Sequence, residues 1–150
     1  MKIIITLILI IFAIVQAEEA PYNPTPDRYV DIHHSIIDVQ VDLEDSTVVG
    51  NVTHTMSSLR TDLYIIQLDC EDTKIKSVKI NNNRPLKYSL NGPKLNIELD
   101  RTYGFDDTLT LSIDYLAKPK KGLYFVQNDQ NYPDKNVQAW TQGEGMDNHN

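Results

Sequence analysis

From Tyr29 onward, apolar and polar residues alternate with a period of two, the spacing of strands that bury one face. Ile32, His34 and Ile36 fall on one face, and Ile37, Val39, Val41 and Leu43 on the other. The switch between Ile36 and Ile37 predicts a bulge or bend in a long strand. Residues 47–57 alternate again, with Val48, Gly50, Val52, His54 and Met56 sharing a face. The polar triplet Glu44-Asp45-Ser46 between the two runs predicts a tight turn, so the strands form a hairpin.

The pattern repeats at short intervals. Strands are predicted over 63–68, 75–80, 86–90, 95–99, 109–115 and, as a short aromatic piece, 122–126. Asn81-Asn82-Asn83 and Asn91-Gly92-Pro93 supply the turn residues between them, Asn and Gly because they tolerate positive φ. No segment after residue 17 carries a helical period. Many short strands with turn signals between them define an all-β chain, a sandwich or a curved antiparallel sheet.

The ends change this picture. Lys2 followed by the nearly unbroken apolar run 3–15 and the small residues around Ala17 reads as a signal peptide, residues 1–17. The run is too short to span a membrane. Export is therefore expected, to an extracellular or periplasmic space, with membrane attachment left open. Residues 18–28 hold Pro21, Pro24 and Pro26 among polar residues and read as an extended linker. The domain proper is 29–150. A net charge of −7 argues against a nucleic-acid partner, which favours a basic face. The single cysteine, Cys70, has no internal partner for a disulfide and reads as a buried, inert thiol at a strand.

Candidate chemistry is sparse along most of the chain. His33 and His34 are neighbours in a strand and are expected on opposite faces, so they form no joint metal site. No His-Glu-x-x-His, no cysteine pair and no Gly-x-Ser-x-Gly occurs. The carboxylate pairs Asp106-Asp107 and Glu71-Asp72 read as solvated turn residues. Asn51-Val52-Thr53 matches a glycosylation acceptor. The densest polar stretch is the last, 140–150, with Gln142, Glu144, Asp147, Asn148 and His149 spaced by Gly143 and Gly145. Small residues beside a carboxylate let the backbone bring it close to a cationic ligand such as an amine. A polar surface loop with turn-forming glycines fits the same composition.

The order of these features resembles the N-terminal domain of the aminopeptidase N type of zinc metallopeptidases. The resemblance rests on Asp38-Val39-Gln40-Val41-Asp42-Leu43, Gly50-Asn51-Val52-Thr53, Leu68-Asp69 followed by Ile75-Lys76-Ser77-Val78, Gly122-Leu123-Tyr124-Phe125, and Trp140-Thr141-Gln142-Gly143-Glu144. It covers about 29–150. It implies a curved, saddle-like all-β domain placed before a separate catalytic domain of the same chain. It implies that zinc is the cofactor of the whole enzyme, held by that catalytic domain through His-Glu-x-x-His and a distant Glu. It implies that this segment, truncated before that domain, is inactive alone. It implies that the substrate is a peptide with a free amino terminus. Glu144 is implied to pair with its α-ammonium, and Gln142 to line the pocket for the first side chain. The competing reading is a secreted β-sandwich that binds or scaffolds without catalysis.

Overall fold

The computed structural model describes residues 27–143. The signal peptide 1–17, the linker apart from Asp27 and Arg28, and Glu144 lie outside the described residues. Within them the chain is all-β: ten strands and no helix.

The first hairpin pairs β1 (Val30–Asp42) with β2 (Thr47–Ser58). The turn between them is fixed by the Asp42 side chain, whose Oδ1 accepts the backbone N–H groups of Glu44 and Asp45 at 3.0 Å each. Such a carboxylate substitutes for a backbone acceptor and closes the turn, and Ser46 leaves it with φ 55°. Then follow β3 (Leu63–Asp69), β4 (Thr73–Ile80), the two-residue β5 (Arg84–Pro85), β6 (Lys87–Asn91), β7 (Lys94–Tyr103) and β8 (Thr108–Ala117). Asn81, Asn82 and Asn83 all take positive φ, and Gly92 does so between β6 and β7, as the turn residues predict.

The strands form a five-stranded sheet in the order β1-β2-β8-β4-β5 and a three-stranded sheet β3-β7-β6, antiparallel throughout. One core lies between them. The larger sheet contributes Met56, Val78, Ile80, Leu109, Leu111 and Ile113. The smaller sheet contributes Leu63, Ile66, Leu95, Ile97, Leu99 and Tyr103. Alternation decides which residues these are: Leu95, Ile97 and Leu99 are buried while their neighbours are not. Each fully buried side chain of this size contributes about 1.5–3 kcal/mol relative to exposure. Register shifts in β1–β2, β3–β7 and β4–β8 add local twist, which curves the sheets.

The bulge in β1 is not where the alternation places it. The extra residue is His33, between Ile32 and His34. Ile32 therefore pairs with Met56 on the core side, whereas His34 and Ile36 pair with Thr55 and Thr53 on the outer side. The sequence shows two runs of opposite parity but not where the unpaired residue sits, because that depends on β2. The bulge also overturns the opposite-face reading of the two histidines. His33 Nε2 lies 3.0 Å from Ser57 Oγ, and Ser57 shares the outer face of β2 with Thr55, the partner of His34.

The last two strands stand apart from both sheets. Among the described residues, β9 (Leu123–Val126) and β10 (Gln138–Thr141) pair only with each other.

Candidate functional site

The hairpin of β9 and β10 delivers Gln142, so its construction matters first. The sequence predicts β9, but reads 140–150 as one polar stretch; the structure makes Gln138–Thr141 a strand. The available signal was the pair of strand formers Trp140 and Thr141, which lie opposite Tyr124 and Leu123. A four-residue strand is too short for alternation to reveal alone.

Isolated two-stranded sheets are marginal in water, so this one needs other ties. Three are present. The rings of Tyr124 and Trp140 stack across the strands, centroids 4.7 Å apart and planes inclined by 22°. The Gln142 N–H donates to the Gly122 carbonyl at 2.9 Å, extending the pairing one step past β10. Gly122 has φ 76°, a left-handed conformation that glycine adopts without strain. Finally, Gln127 Nε2 donates to the Leu43 carbonyl at 2.6 Å and to Ser46 Oγ at 3.1 Å, clipping the hairpin to the β1–β2 turn. Leu123, Tyr124 and Phe125 line a shallow cleft with Ser46, Lys118 and Lys120. The Lys120 ammonium donates to Asp72 Oδ1 at 2.8 Å, and this hydrogen bond, with the carboxylate's charge, raises its pKa.

Gln142 is thus placed directly after β10, exposed, with its backbone held and its position two residues beyond Trp140. Residues two apart on a strand share a face, so Gln142 follows the Trp140–Tyr124 face. Glu144, two residues further, lies outside the described residues. An exposed amide with a fixed backbone can donate and accept hydrogen bonds with a polar ligand at the end of this hairpin.

The other residues singled out along the chain have local roles. Asp107 accepts from the Gly104 N–H at 2.8 Å and from Arg101 at 3.0 Å, and these bonds lower its pKa. Asp106 takes φ 64° in the same turn. Asp72 has φ 49°. Asn51 is not free on the surface: its Nδ2 donates to Asp114 Oδ1 at 2.7 Å and to Ser112 Oγ at 3.0 Å. Asp114 also accepts from Ser77, and the Ser77 and Asn51 bonds hold its carboxyl below the usual range. Cys70 follows the end of β3 rather than lying within it. It is half-buried against the core, and burial raises its thiol pKa, which makes it a poor nucleophile.

His33 and Ser57 approach one another, but Asp31 stands 3.8 Å from the other ring nitrogen, beyond hydrogen-bond reach. A second shallow cleft holds Arg60 over the Tyr29 ring, 4.8 Å from its centroid, with Asp27 Oδ2 3.5 Å from Nη2. Among the described residues, no three His, Cys, Asp or Glu side chains converge as metal ligands.

Two facing antiparallel sheets followed by a small separate hairpin define an all-β domain. The chain belongs to the peptidase M1 N-terminal domain family, whose model matches residues 25–150. It is 32% identical over 59 residues to leucine aminopeptidase 2 of Kluyveromyces lactis, a stretch covering 39% of this chain and 9% of that protein. Yeast leukotriene A4 hydrolase in complex with bestatin shares the fold with a TM-score of 0.67 at 18% identity, over 89% of this chain and 23% of that one. The M1 zinc metallopeptidase of Deinococcus radiodurans matches with a TM-score of 0.56 at 21% identity, over 63% of this chain and 22% of that one. The chain thus spans less than a quarter of the length of each of these relatives.

Proposed function

We propose that this chain is the N-terminal domain of an exported zinc aminopeptidase and that its 142–144 stretch recognises the amino-terminal residue of the peptide substrate. One observation carries the reading: a domain of this family ends its described part on a hairpin whose exit residue, Gln142, is held by the Gly122 carbonyl. The relatives support the substrate class. One is a leucine aminopeptidase, and a Deinococcus metallopeptidase variant is bound to a Tyr-Ser-Ala substrate.

The division of labour follows from chemistry. An exopeptidase measures one residue from a cationic end. The Glu144 carboxylate does this through a charge-assisted hydrogen bond to the α-ammonium, and the Gln142 amide borders the first side chain. A zinc ion bound in a catalytic domain of the same chain would supply the Lewis-acid chemistry of the hydrolysis. This segment contributes binding and register alone.

The test is hydrolysis of amino-acid anilides by the full-length protein and its Glu144→Gln variant. A hydrogen bond to a charged group is worth about 1.5–3 kcal/mol, so kcat/KM should fall about ten- to a hundredfold. A change within about twofold overturns the assigned role. Absence of any anilide hydrolysis by the full-length protein favours the non-catalytic binding domain instead. Export is checked separately: the secreted protein should begin at Glu18 by amino-terminal sequencing, and retention of the whole protein inside the producing cell contradicts it.

A further inference from the structure

We infer that the Tyr124–Trp140 stack is the positioning element that sets first-residue preference, by holding Gln142 in place; this rests on the proposed role of Gln142. The hairpin pairs with neither main sheet, so the core that orders the rest of the domain does not order it. Four cross-strand residue pairs are all the pairing its strands possess. Such a ribbon twists and frays easily. The stack closes it at the third of those pairs, Trp140 opposite Tyr124.

Position in the register gives the stack its leverage. Only the Thr141–Leu123 pair separates it from the Gln142–Gly122 hydrogen bond. The clip made by Gln127 to Leu43 and Ser46 secures the opposite end of the hairpin, where β9 leaves for the connecting loop. It does not restrain the end that carries Gln142. Removing the indole therefore loosens the strand end on which Gln142 depends while the clip and the core remain. Trp140 is itself 45% exposed, so a smaller side chain there leaves no large internal cavity. Trp140 and Tyr124 are accordingly positioning residues that act through Gln142.

The experiment uses the full-length enzyme with a panel of amino-acid anilides whose first side chains range from small to large. The readout is the ratio of kcat/KM between large and small first residues. Gln142→Ala should shift this ratio, and Trp140→Ala should shift it in the same direction by about two- to tenfold. The double variant should shift it no further than Gln142→Ala alone, because both act on one element. Trp140→Phe, which keeps a stacking ring, should restore the parental ratio. The thermal midpoint should stay near the parental value in every variant.

Three results overturn the inference: an unchanged ratio in Trp140→Ala, shifts that add in the double variant, or no rescue by phenylalanine. An effect of Gln142→Ala with none of Trp140→Ala refutes the clasp and leaves the role of Gln142 standing. No effect of Gln142→Ala refutes both.

Discussion

The Tyr115 ring lies directly over Gly50, its partner on the neighbouring strand: a Cβ added at Gly50 would stand 2.6 Å from Tyr115 Cζ and 2.7 Å from its hydroxyl. Gly50 sits within β2, paired on both sides by β1 and β8, where glycine is otherwise unfavourable. The ring occupies the space the missing side chain leaves. Gly50→Ala should therefore destabilise the domain by about 1–3 kcal/mol through overpacking, exceeding alanine's entropic advantage of about 0.5–1 kcal/mol. In a Tyr115→Leu background the same substitution should be neutral or stabilising. Urea unfolding of the four proteins checks this, and equal costs in both backgrounds contradict the contact.

His54 faces the core side of β2, with Ser35 Oγ 2.8 Å from Nδ1. Burial holds its imidazole below the ordinary value, so the folded chain binds the proton less readily than the unfolded one. The contribution to stability is complete above the unfolded pKa of about 6.5 and is lost as pH falls from there toward the folded pKa. His54→Gln should flatten that part of the stability profile while leaving its acid limb below about pH 4 in place. Denaturant midpoints measured across pH 4–8 decide it; an unchanged slope in the variant contradicts the assignment.

Asp114 supplies the acid limb. Its carboxyl pKa is depressed by hydrogen bonds from Ser77 and Asn51, so its stabilising contribution is present above the unfolded value and lost as pH falls through the folded one. The bond from Asn51 engages the amide nitrogen that a glycan would need. The folded protein made in a eukaryotic secretory host should carry no sugar at Asn51, and Asn51→Ala should lower stability by about 0.5–1.5 kcal/mol, because Asp114 keeps Ser77 and Lys79 as partners. Mass spectrometry of the intact secreted protein reads the first outcome, and a glycan at Asn51 overturns it.

β1 is an edge strand of 13 residues with branched apolar side chains on both faces: Ile36 on the outer, Ile37, Val39 and Val41 on the inner, all exposed. It carries no lysine or proline to discourage pairing. The isolated segment 27–143 should self-associate with rising concentration, and Ile37→Lys should suppress this without unfolding it. Sedimentation velocity compares the two, and monomers of both at high concentration contradict it.

How much of this was legible beforehand follows from what each feature depends on. The strands of the two main sheets were readable because each buries one face, and burial imposes a period of two on adjacent residues of one segment. Leu109, Leu111 and Ile113 announce their face regardless of what covers it. The turns were readable for a similar reason: Asn81 to Asn83 and Gly92 meet a local conformational demand that needs no distant partner. The family resemblance carried Gln142 to attention through a local motif. Bulge position, the partner of each strand and the path of β10 depend on residues far apart in sequence. His33 becomes the extra residue only because β2 runs alongside, and Trp140 becomes structural only because the chain returns across Tyr124. Asn51-Val52-Thr53 matches a glycosylation acceptor in sequence, but only the fold brings Asp114, 63 positions away, to its amide. Local periodicity determined which segments are strands and which faces are apolar. Tertiary pairing alone decided register, the stacked clasp and where Gln142 is held, because those contacts join segments whose sequences carry no record of one another.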